Sequence, residues 1–368
     1  MKMNLNIFLM SCVALSVACE NKSREVQTLN EEKISTRQFT PPPGVVRSMP
    51  PHDVRDEGVG PYKIGMPLQE ALSSLEGGPR IELWRAEGLS EYRLVRAENG
   101  AVVLGADRSG TTKFISLLDP SIIETPEGDV LGAKIGDLKK SLESEESKRF
   151  VADPEWVTLK ALPALKLFVN NGVVMAALHI GATPGAEVEE RKCADHIDSE
   201  SIEKQIGKLL GARKVELLEQ GCLGKKPIWV ASLKDQVAIF SIEGAKVKKS
   251  VNSYIPGLKR AGLIDVDNDG KDEICFIKTK TKKDEKSIDV AIAKYENRAL
   301  QTFIRRKLVT LDQSSLNLLG VDLAQSRLLA EVGFKGKELV ARTVLVHMNK
   351  REVRDIIPVA ETKLKVKK

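Results

Sequence analysis

Residues Gly262–Ile274 read Gly-Leu-Ile-Asp-Val-Asp-Asn-Asp-Gly-Lys-Asp-Glu-Ile, and the interpretation of the chain starts from them. Three carboxylates (Asp265, Asp267 and Asp269) alternate along this stretch, and Gly270 follows them. Their mutual repulsion is best relieved by a hard cation with oxygen ligands. Gly270 supplies the backbone freedom that a sharp turn around such an ion needs. The stretch therefore predicts a calcium loop that leads into a strand.

Three other interpretations of the acidic loop compete with this one. An EF-hand fails because its bidentate glutamate at position twelve would fall on Phe276. The Asp265-x-Asp267 pair is similar to the nucleophile and acid of haloacid-dehalogenase-like phosphatases, but Asp269 stands where that family has Thr or Val, and charged Lys259-Arg260 precede the pair. A solvated acidic turn without an ion stays open, although Lys271 alone cannot compensate so many carboxylates.

The order Asp-x-Asp-x-Asp-Gly-x-Asp-Glu before a strand resembles the short calcium loops of FG-GAP/VCBS-type β-propeller repeats. The resemblance covers about a dozen residues, and the Phe-Gly and Gly-Ala-Pro flanks of fuller members are missing. It implies Ca²⁺ as the cofactor and capping of the turn by Asp272. The implied ligands are the side chains of Asp265, Asp267, Asp269 and Glu273 and the backbone carbonyl of Lys271.

The N-terminus carries an export signal. Lys2 is followed by an apolar stretch from Leu5 to Val17 and by Ser16-Val17-Ala18-Cys19, which are the parts of a secretory signal. Small residues before a cysteine resemble the lipobox of bacterial lipoproteins. The resemblance implies removal of residues 1–18, lipidation of Cys19 and stable anchoring by several acyl chains. Glu20 follows Cys19 in place of an inner-membrane retention Asp, which favours the outer membrane.

Residues 19–56 are predicted to form a disordered tether. They are polar and charged up to Gln38 and then rich in proline, so they cannot build a core. Roughly 310 residues remain, enough for two domains with cores of aliphatic residues. Of 57 basic and 51 acidic residues, only the segments Lys278–Lys286 and Lys363–Lys368 form basic clusters, and neither has interleaved aromatics. A nucleic-acid partner is therefore not predicted.

Residues 57–185 contain a weak internal repeat. The stretch from Ile64-Gly65 to Leu72 aligns with Leu131-Gly132 to Leu138, and each copy predicts a short helix followed by strands. Asn170-Asn171-Gly172 predicts a hairpin turn. The repeat resembles those of β-lactamase-inhibitor-like and small outer-membrane-assembly lipoproteins, which bind other proteins. The predicted fold class is α+β, with this duplicated domain followed by a β-rich, partial-propeller-like domain at residues 186–368.

The second domain is predicted to open with a helix at Ser199–Leu210 and to continue in strands. Its three cysteines are Cys193, Cys222 and Cys275, because Cys12 leaves with the signal and Cys19 is lipidated. Cys275 alternates into the strand after the acidic loop and is expected to be buried. Cys193 and Cys222 flank the predicted helix, and they either form a disulfide in the oxidising compartment to which the chain is exported or remain two free thiols.

These observations favour a lipid-anchored envelope protein that acts as a calcium-stabilised binding or structural module with a protein or glycan partner. An accessory subunit of an envelope complex is the second interpretation. A secreted hydrolase is the third, but no catalytic residues are predicted. The four histidines occur in no Gly-x-Ser-x-Gly or His-Glu-x-x-His setting, and no glycine-rich phosphate loop is present.

The lipid anchor gives the first prediction. Replacing Cys19 by Ser removes the acylated thiol, so the Cys19→Ser protein should move from the membrane pellet to the soluble fraction when cells are fractionated. A Cys12→Ser protein is the matched control and should stay in the pellet. Retention of the Cys19→Ser protein in the membrane would contradict lipidation.

Overall fold

The computed structural model describes residues 52–73, 80–84, 90–97, 100–119, 123–124, 130–138, 150–159, 162–181, 199–211, 217–223, 226–233, 235–243, 246–267, 269–297, 299–317, 321–335, 337–350 and 352–366. All of them belong to one compact unit, Ser48–Lys368. The predicted signal, Cys19, most of the tether and the domain boundary near residue 185 lie outside the described residues.

The predicted α+β class is wrong, because the described chain consists almost entirely of antiparallel β-sheets. The described residues include the helices α1 (Leu68–Ser73), α2 (Ser199–Leu210) and α3 (Gln313–Asn317) and a 3₁₀ turn at Leu323–Gln325, and Gly100 is also in 3₁₀ conformation. Helices as short as α1 and α3 gain little from backbone hydrogen bonding and depend on packing against sheets. The second helix predicted for the repeat is not formed at residues 135–138, which are turns.

Two sheets come from the first half of the unit. The strands of this half are β1 (His52–Arg55), β2 (Gly58–Val59), β3 (Tyr62–Lys63), β4 (Arg80–Trp84), β5 (Tyr92–Ala97), β6 (Val102–Ala106), β7 (Thr112–Leu117), β8 (Ile123–Glu124), β9 (Phe150–Ala152), β10 (Trp156–Thr158), β11 (Leu165–Asn170) and β12 (Val173–His179), and all of them except β9 belong to these two sheets. A small sheet has the order β3-β2-β1-β8, and a seven-stranded sheet has the order β10-β11-β12-β7-β6-β5-β4. The seven-stranded sheet therefore joins two hairpin runs edge to edge through β12 and β7.

The two copies of the sequence repeat make equivalent backbone contacts with this sheet. Gly65 N–H donates to the Thr112 carbonyl, and Gly132 N–H donates to the Val174 carbonyl, both at 2.8 Å. Both glycines have positive φ, which a residue with a Cβ rarely adopts. The repeated glycines thus occupy equivalent positions against hairpins. The first is followed by the predicted helix, α1, and the residues after 138 that would continue the second helix lie outside the described residues.

The second half of the unit forms three four-stranded sheets. Their strands are β13 (Leu217–Leu223), β14 (Lys226–Leu233), β15 (Gln236–Glu243), β16 (Lys246–Tyr254), β17 (Leu258–Ile264), β18 (Glu273–Lys282), β19 (Glu285–Glu296), β20 (Ala299–Asp312), β21 (Ser326–Lys335), β22 (Glu338–Asn349) and β23 (Glu352–Lys363). Two of the sheets are simple meanders, β13-β14-β15-β16 and β17-β18-β19-β20. The third has the order β23-β22-β21-β9, so a strand from the first half completes a sheet of the second.

The central strands of these sheets carry apolar side chains on both faces, so each face is covered by a neighbouring element. One face of β14 and β15 packs through Ile228 and Ile239 against Leu263 and Phe276 of the next sheet. The opposite face packs through Trp229 and Phe240 against Ile202 and Ile206 of α2. The strands β18 and β19 use their remaining face, with Ile277, Val290 and Ile292, in the largest core. That core also includes the third sheet and one face of the seven-stranded sheet.

Asp153 sits buried at the junction between β9 and β10. Its N–H donates to the Ala330 carbonyl at 2.9 Å, and its Oδ1 accepts from the Glu155 N–H at 3.1 Å. Its Oδ2 is buried without a hydrogen-bond partner. Burial raises the pKa of Asp153 to about 6, against the opposing attraction of Lys259 and Arg260. The charged form of this carboxylate is therefore destabilised in the folded protein.

An Asp153→Asn protein should be more stable than the wild type at pH 8. The folded-state pKa lies about two units above the unfolded value, so the wild-type carboxylate costs on the order of 3 kcal/mol above pH 6. That cost decreases as the pH falls from 6 toward 4, because the carboxyl of the folded protein is then protonated, and it is lost below the unfolded pKa of 3.8, where both states are protonated. Thermal melts of both proteins from pH 4 to pH 8 should show the advantage shrinking with acidity. An Asp56→Asn protein, changed at an exposed site, should show no such advantage. An advantage that is independent of pH would contradict the assignment.

Candidate metal centre

The acidic loop connects β17 to β18, and the residues that flank it in these strands, Ala261–Ile264 and Glu273–Ile277, are buried. Gly270 has a φ of 91°, the left-handed conformation that the sharp turn requires. The carboxylates also organise the loop through its backbone. Asp265 accepts from the N–H groups of Asp269 and Gly270 at 3.2 and 3.1 Å, and Asp269 accepts from the Lys271 N–H at 2.8 Å. The aspartates thus fold the turn that brings them together.

The side chains of Asp265, Asp267 and Asp269 offer carboxylate oxygens that all lie within 4.8 Å of one another. Asp267 and Asp269 are exposed, and Asp265 is half-buried. Three hard anionic oxygens converging on one point suit Ca²⁺ better than a transition metal, because no imidazole or thiolate joins them in this group. The donor set therefore fits the cation predicted from the sequence.

Glu273, the fourth predicted side-chain ligand, is not part of this group. It is the first residue of β18 and is only 2% exposed. Its Oε2 accepts from the Val266 N–H at 2.8 Å, which ties the two ends of the loop together. Burial is the main cause that raises the pKa of Glu273, and the charges of Asp267 and Asp269 add to it.

Lys294 of β19 provides a cation that the sequence pattern did not indicate. Its Nζ lies 2.8 Å from Asp267 Oδ2 and 3.6 Å from Glu273 Oε1. The hydrogen bond from Lys294 lowers the pKa of Asp267, and the same bond raises the pKa of Lys294. Lys294 therefore compensates part of the charge of the loop from a neighbouring strand 27 residues away in the sequence.

The C-terminal end of the loop is attached to the adjacent sheet. Asp272 contacts β13: its Oδ2 accepts from the Cys222 N–H at 2.6 Å, and its N–H donates to the Cys222 carbonyl at 2.9 Å. Lys271 forms an isolated antiparallel bridge with Leu223. A Cβ on Gly221 would lie 2.5 Å from Asp272 Oδ2, so glycine is needed for this approach. The loop thus holds β13 against β17.

The cysteines lie in different environments. Cys222 is disulfide-bonded, and its partner lies outside the described residues, as do Cys19 and Cys193. Cys275 is buried in β18, as the alternation predicted. Among the described residues, no helix combines the length and the apolar character needed to cross a membrane.

The comparisons with known proteins add little to this picture. The sequence matches no protein-family model and no curated protein. Among solved structures, it is similar to the Nup133 β-propeller domain of Vanderwaltozyma polyspora (TM-score 0.25, 10% identity, 78% of this chain and 84% of that one). It is also similar to candidate 6-phosphogluconolactonases from Bacteroides uniformis (0.19, 14%, 74% and 71%) and Bacteroides fragilis (0.20, 10%, 77% and 80%). TM-scores this low establish neither a shared fold nor a shared activity.

The disulfide at Cys222 gives a prediction. Proteolytic mapping without reductant should yield a linked peptide containing Cys193 and Cys222, since Cys193 is the remaining cysteine of the predicted second domain. Cys275 serves as the internal control, because its buried thiol should be alkylated only after denaturation. Recovery of alkylated Cys193 from the native protein would contradict the pairing.

Proposed function

We propose that this chain is an envelope lipoprotein, anchored through Cys19, that serves as a β-sheet binding module stiffened by calcium. Asp265, Asp267 and Asp269 would hold the ion, and Ca²⁺ would neutralise carboxylates that otherwise repel one another. The convergence of these three side chains within 4.8 Å is the observation that carries the proposal.

The expected role of the ion is structural. The loop joins the edge strand β17 to the central strand β18, and Asp272 and Lys271 link it to β13 of the next sheet. A cation held there would stiffen the connection between two sheets whose apolar faces pack together through Leu263 and Ile274. Lys294 already supplies one positive charge, so the ion competes with a tethered cation. This competition favours the weak calcium affinity of extracellular modules, on the order of 10⁻⁴ to 10⁻³ M.

The second interpretation, an accessory subunit of an envelope complex, is favoured by one observation. Ile81 and Leu83 alternate along β4, the last strand of the seven-stranded sheet, and are 54% and 66% exposed. Contact with a larger assembly would cover these two apolar side chains. A binding module that works alone gives no reason for their exposure.

Calcium should raise the melting temperature of the full chain. A ligand at a hundred times its Kd adds about 2.7 kcal/mol to the free energy of unfolding, which corresponds to roughly 5 °C for a domain of this size. Differential scanning calorimetry in EDTA and in 10 mM CaCl₂ measures the rise. The double variant Asp265→Ala with Asp267→Ala should melt at the same temperature in both buffers.

Two controls make the result specific. A Glu296→Ala protein removes an exposed carboxylate outside the loop and should keep the full calcium response. A Lys294→Met protein removes the competing cation and should respond at a lower calcium concentration. A wild-type protein whose melting temperature is unchanged by calcium would remove the metal assignment.

A further inference from the structure

A cleft of about 830 Å³ lies between the seven-stranded sheet and the sheet formed by β21, β22 and β23. One wall consists of the start of β5 and the turn between β6 and β7. The other wall consists of side chains from the three C-terminal strands. None of the lining residues belongs to the acidic loop. The cleft is large enough for several side chains of a peptide segment but not for a folded domain.

The apolar part of the lining suits an aliphatic chain. It includes Ile180, Val344, Pro358 and Ala360, which come from both walls. Tyr92 adds a half-buried aromatic ring whose position is fixed by an edge-on contact with Phe114, 5.0 Å between ring centroids. A long side chain could therefore lay its methylene groups along this surface while its polar end reaches the charged part of the lining.

On the first wall, the carboxylates are fixed by hydrogen bonds or by burial, whereas the side chains of their cationic partners are largely exposed. Asp107 accepts from the N–H groups of Ser109 and Thr111 at 2.9 and 3.1 Å, so its position is set by the turn. Glu91 has only 18% of its side chain exposed, whereas its partner Arg108 has 78% exposed. Exposed ion pairs of this kind contribute about 1 kcal/mol or less. The cations can leave at little cost, and the carboxylates remain.

The second wall repeats this arrangement. Arg342 is fixed between two acids, with Nη1 3.3 Å from Glu331 Oε1 and Nε 2.9 Å from Glu361 Oε2. Lys166 lies 3.3 Å from the other oxygen of Glu331 and is almost completely buried. These buried pairs cannot be broken cheaply. Glu361 Oε1 is instead paired with Lys335, whose side chain is 45% exposed, so that partner is exchangeable.

The surroundings of Tyr92 indicate that carboxylates of both walls face the same part of the cleft. Burial raises the pKa of its phenol, the hydrogen bond with Ser90 lowers it, and the charges of Glu361 and Asp107 raise it further. Two carboxylates from opposite walls thus act on one aromatic ring. A cation placed beside that ring would interact favourably with both acids and with its π system.

We propose that this cleft binds lysine or arginine side chains of a basic polypeptide. The incoming ammonium or guanidinium groups replace Arg108 on Glu91 and Lys335 on Glu361. They also replace Lys113, which lies 3.1 Å from Asp107 Oδ2 and has 49% of its side chain exposed. Their aliphatic stems lie on the apolar lining. The exchange replaces exposed ion pairs by pairs that the buried stems shield from water, so both the new ion pairs and the stems contribute to the affinity. An anionic ligand is disfavoured because the cations Arg108 and Lys335 are exposed, whereas the positions of Asp107 and Glu361 are set by hydrogen bonds. The proposal names a partner class for the binding module, and so rests on that proposed function but not on its calcium loop.

Selection from a random heptapeptide display library on the full-length Cys19→Ser protein tests this proposal. Selected peptides should be enriched in Lys and Arg, and a fluorescent copy of the best one should bind with an affinity that falls as salt rises. The triple variant Glu91→Gln, Asp107→Asn, Glu361→Gln should weaken binding by about tenfold or more, because three ion pairs are lost. A control with three other exposed acids changed (Glu296→Gln, Glu338→Gln, Glu352→Gln) should bind within about twofold of the wild type.

A second variant should change the peptide affinity in the opposite direction. Its result is informative even if the triple variant does not fold. Arg108→Ala with Lys335→Ala removes two competing cations, so it should bind the basic peptide more tightly than the wild type. Selection of acidic or uncharged peptides, recovery of no binding peptide, or weaker binding by this double variant would overturn the proposal. Peptide binding should be the same in EDTA and in calcium. Failure here therefore leaves the calcium-dependent melting result intact, and the converse also holds.

Discussion

The fold depends on the burial of both faces of its central sheets. Strands β14 and β15 lie between α2 and the sheet β17–β20, and that sheet in turn separates two cores. A strand with apolar side chains on both faces is stable only when two other elements cover it. Each sheet therefore fixes the position of its neighbours. The packed strands in turn fix the two ends of each loop that joins them. The acidic loop is placed in this way, since buried residues immediately precede and follow it.

Charged groups in this protein follow a common division of roles. Carboxylates are fixed by backbone N–H groups or by burial, as in Asp265, Asp107 and Glu273. Several of the cations that accompany them reach in from other strands on long, partly exposed side chains, as Lys294 and Lys335 do. Fixed anions and mobile cations make a surface that can exchange one cation for another. The metal proposal and the peptide proposal are two uses of this same property.

The sequence predicted local features well where hydrophobic periodicity was strong. The helix at Ser199–Leu210 has the predicted bounds, and Asn171 and Gly172 form the predicted turn between β11 and β12. Strands that carry many charges were missed. The strands β16 and β20 contain Lys246, Lys248 and Lys249 and the run Arg305-Arg306-Lys307; they lie at sheet edges, where polar side chains point to solvent.

Fold class and long-range contacts could not be derived from local pattern. Apolar-Gly pairs before amphipathic segments predicted a helix in each copy, and the first forms as α1, but the pattern gave no sign that Gly65 and Gly132 also bond to hairpins of the seven-stranded sheet. The three converging aspartates could be identified because their spacing within five residues carries the signal. Lys294 and the walls of the cleft could not, because tertiary packing alone brings together residues as distant as Tyr92 and Glu361.

The pairing of β9 with β21 has a consequence for how the chain reaches its native state. Ala152 pairs with Glu331, about 180 residues later, so the third sheet is closed by a contact of very large sequence separation. Contacts of this kind slow folding, because the loop entropy is lost before they form. The segment Phe150–Ala152 cannot pair with β21 until the C-terminal part of the nascent chain has been made. Once β21 has formed and before β9 pairs with it, the edge of β21 is open to a strand from another copy, so folding of this protein competes with aggregation.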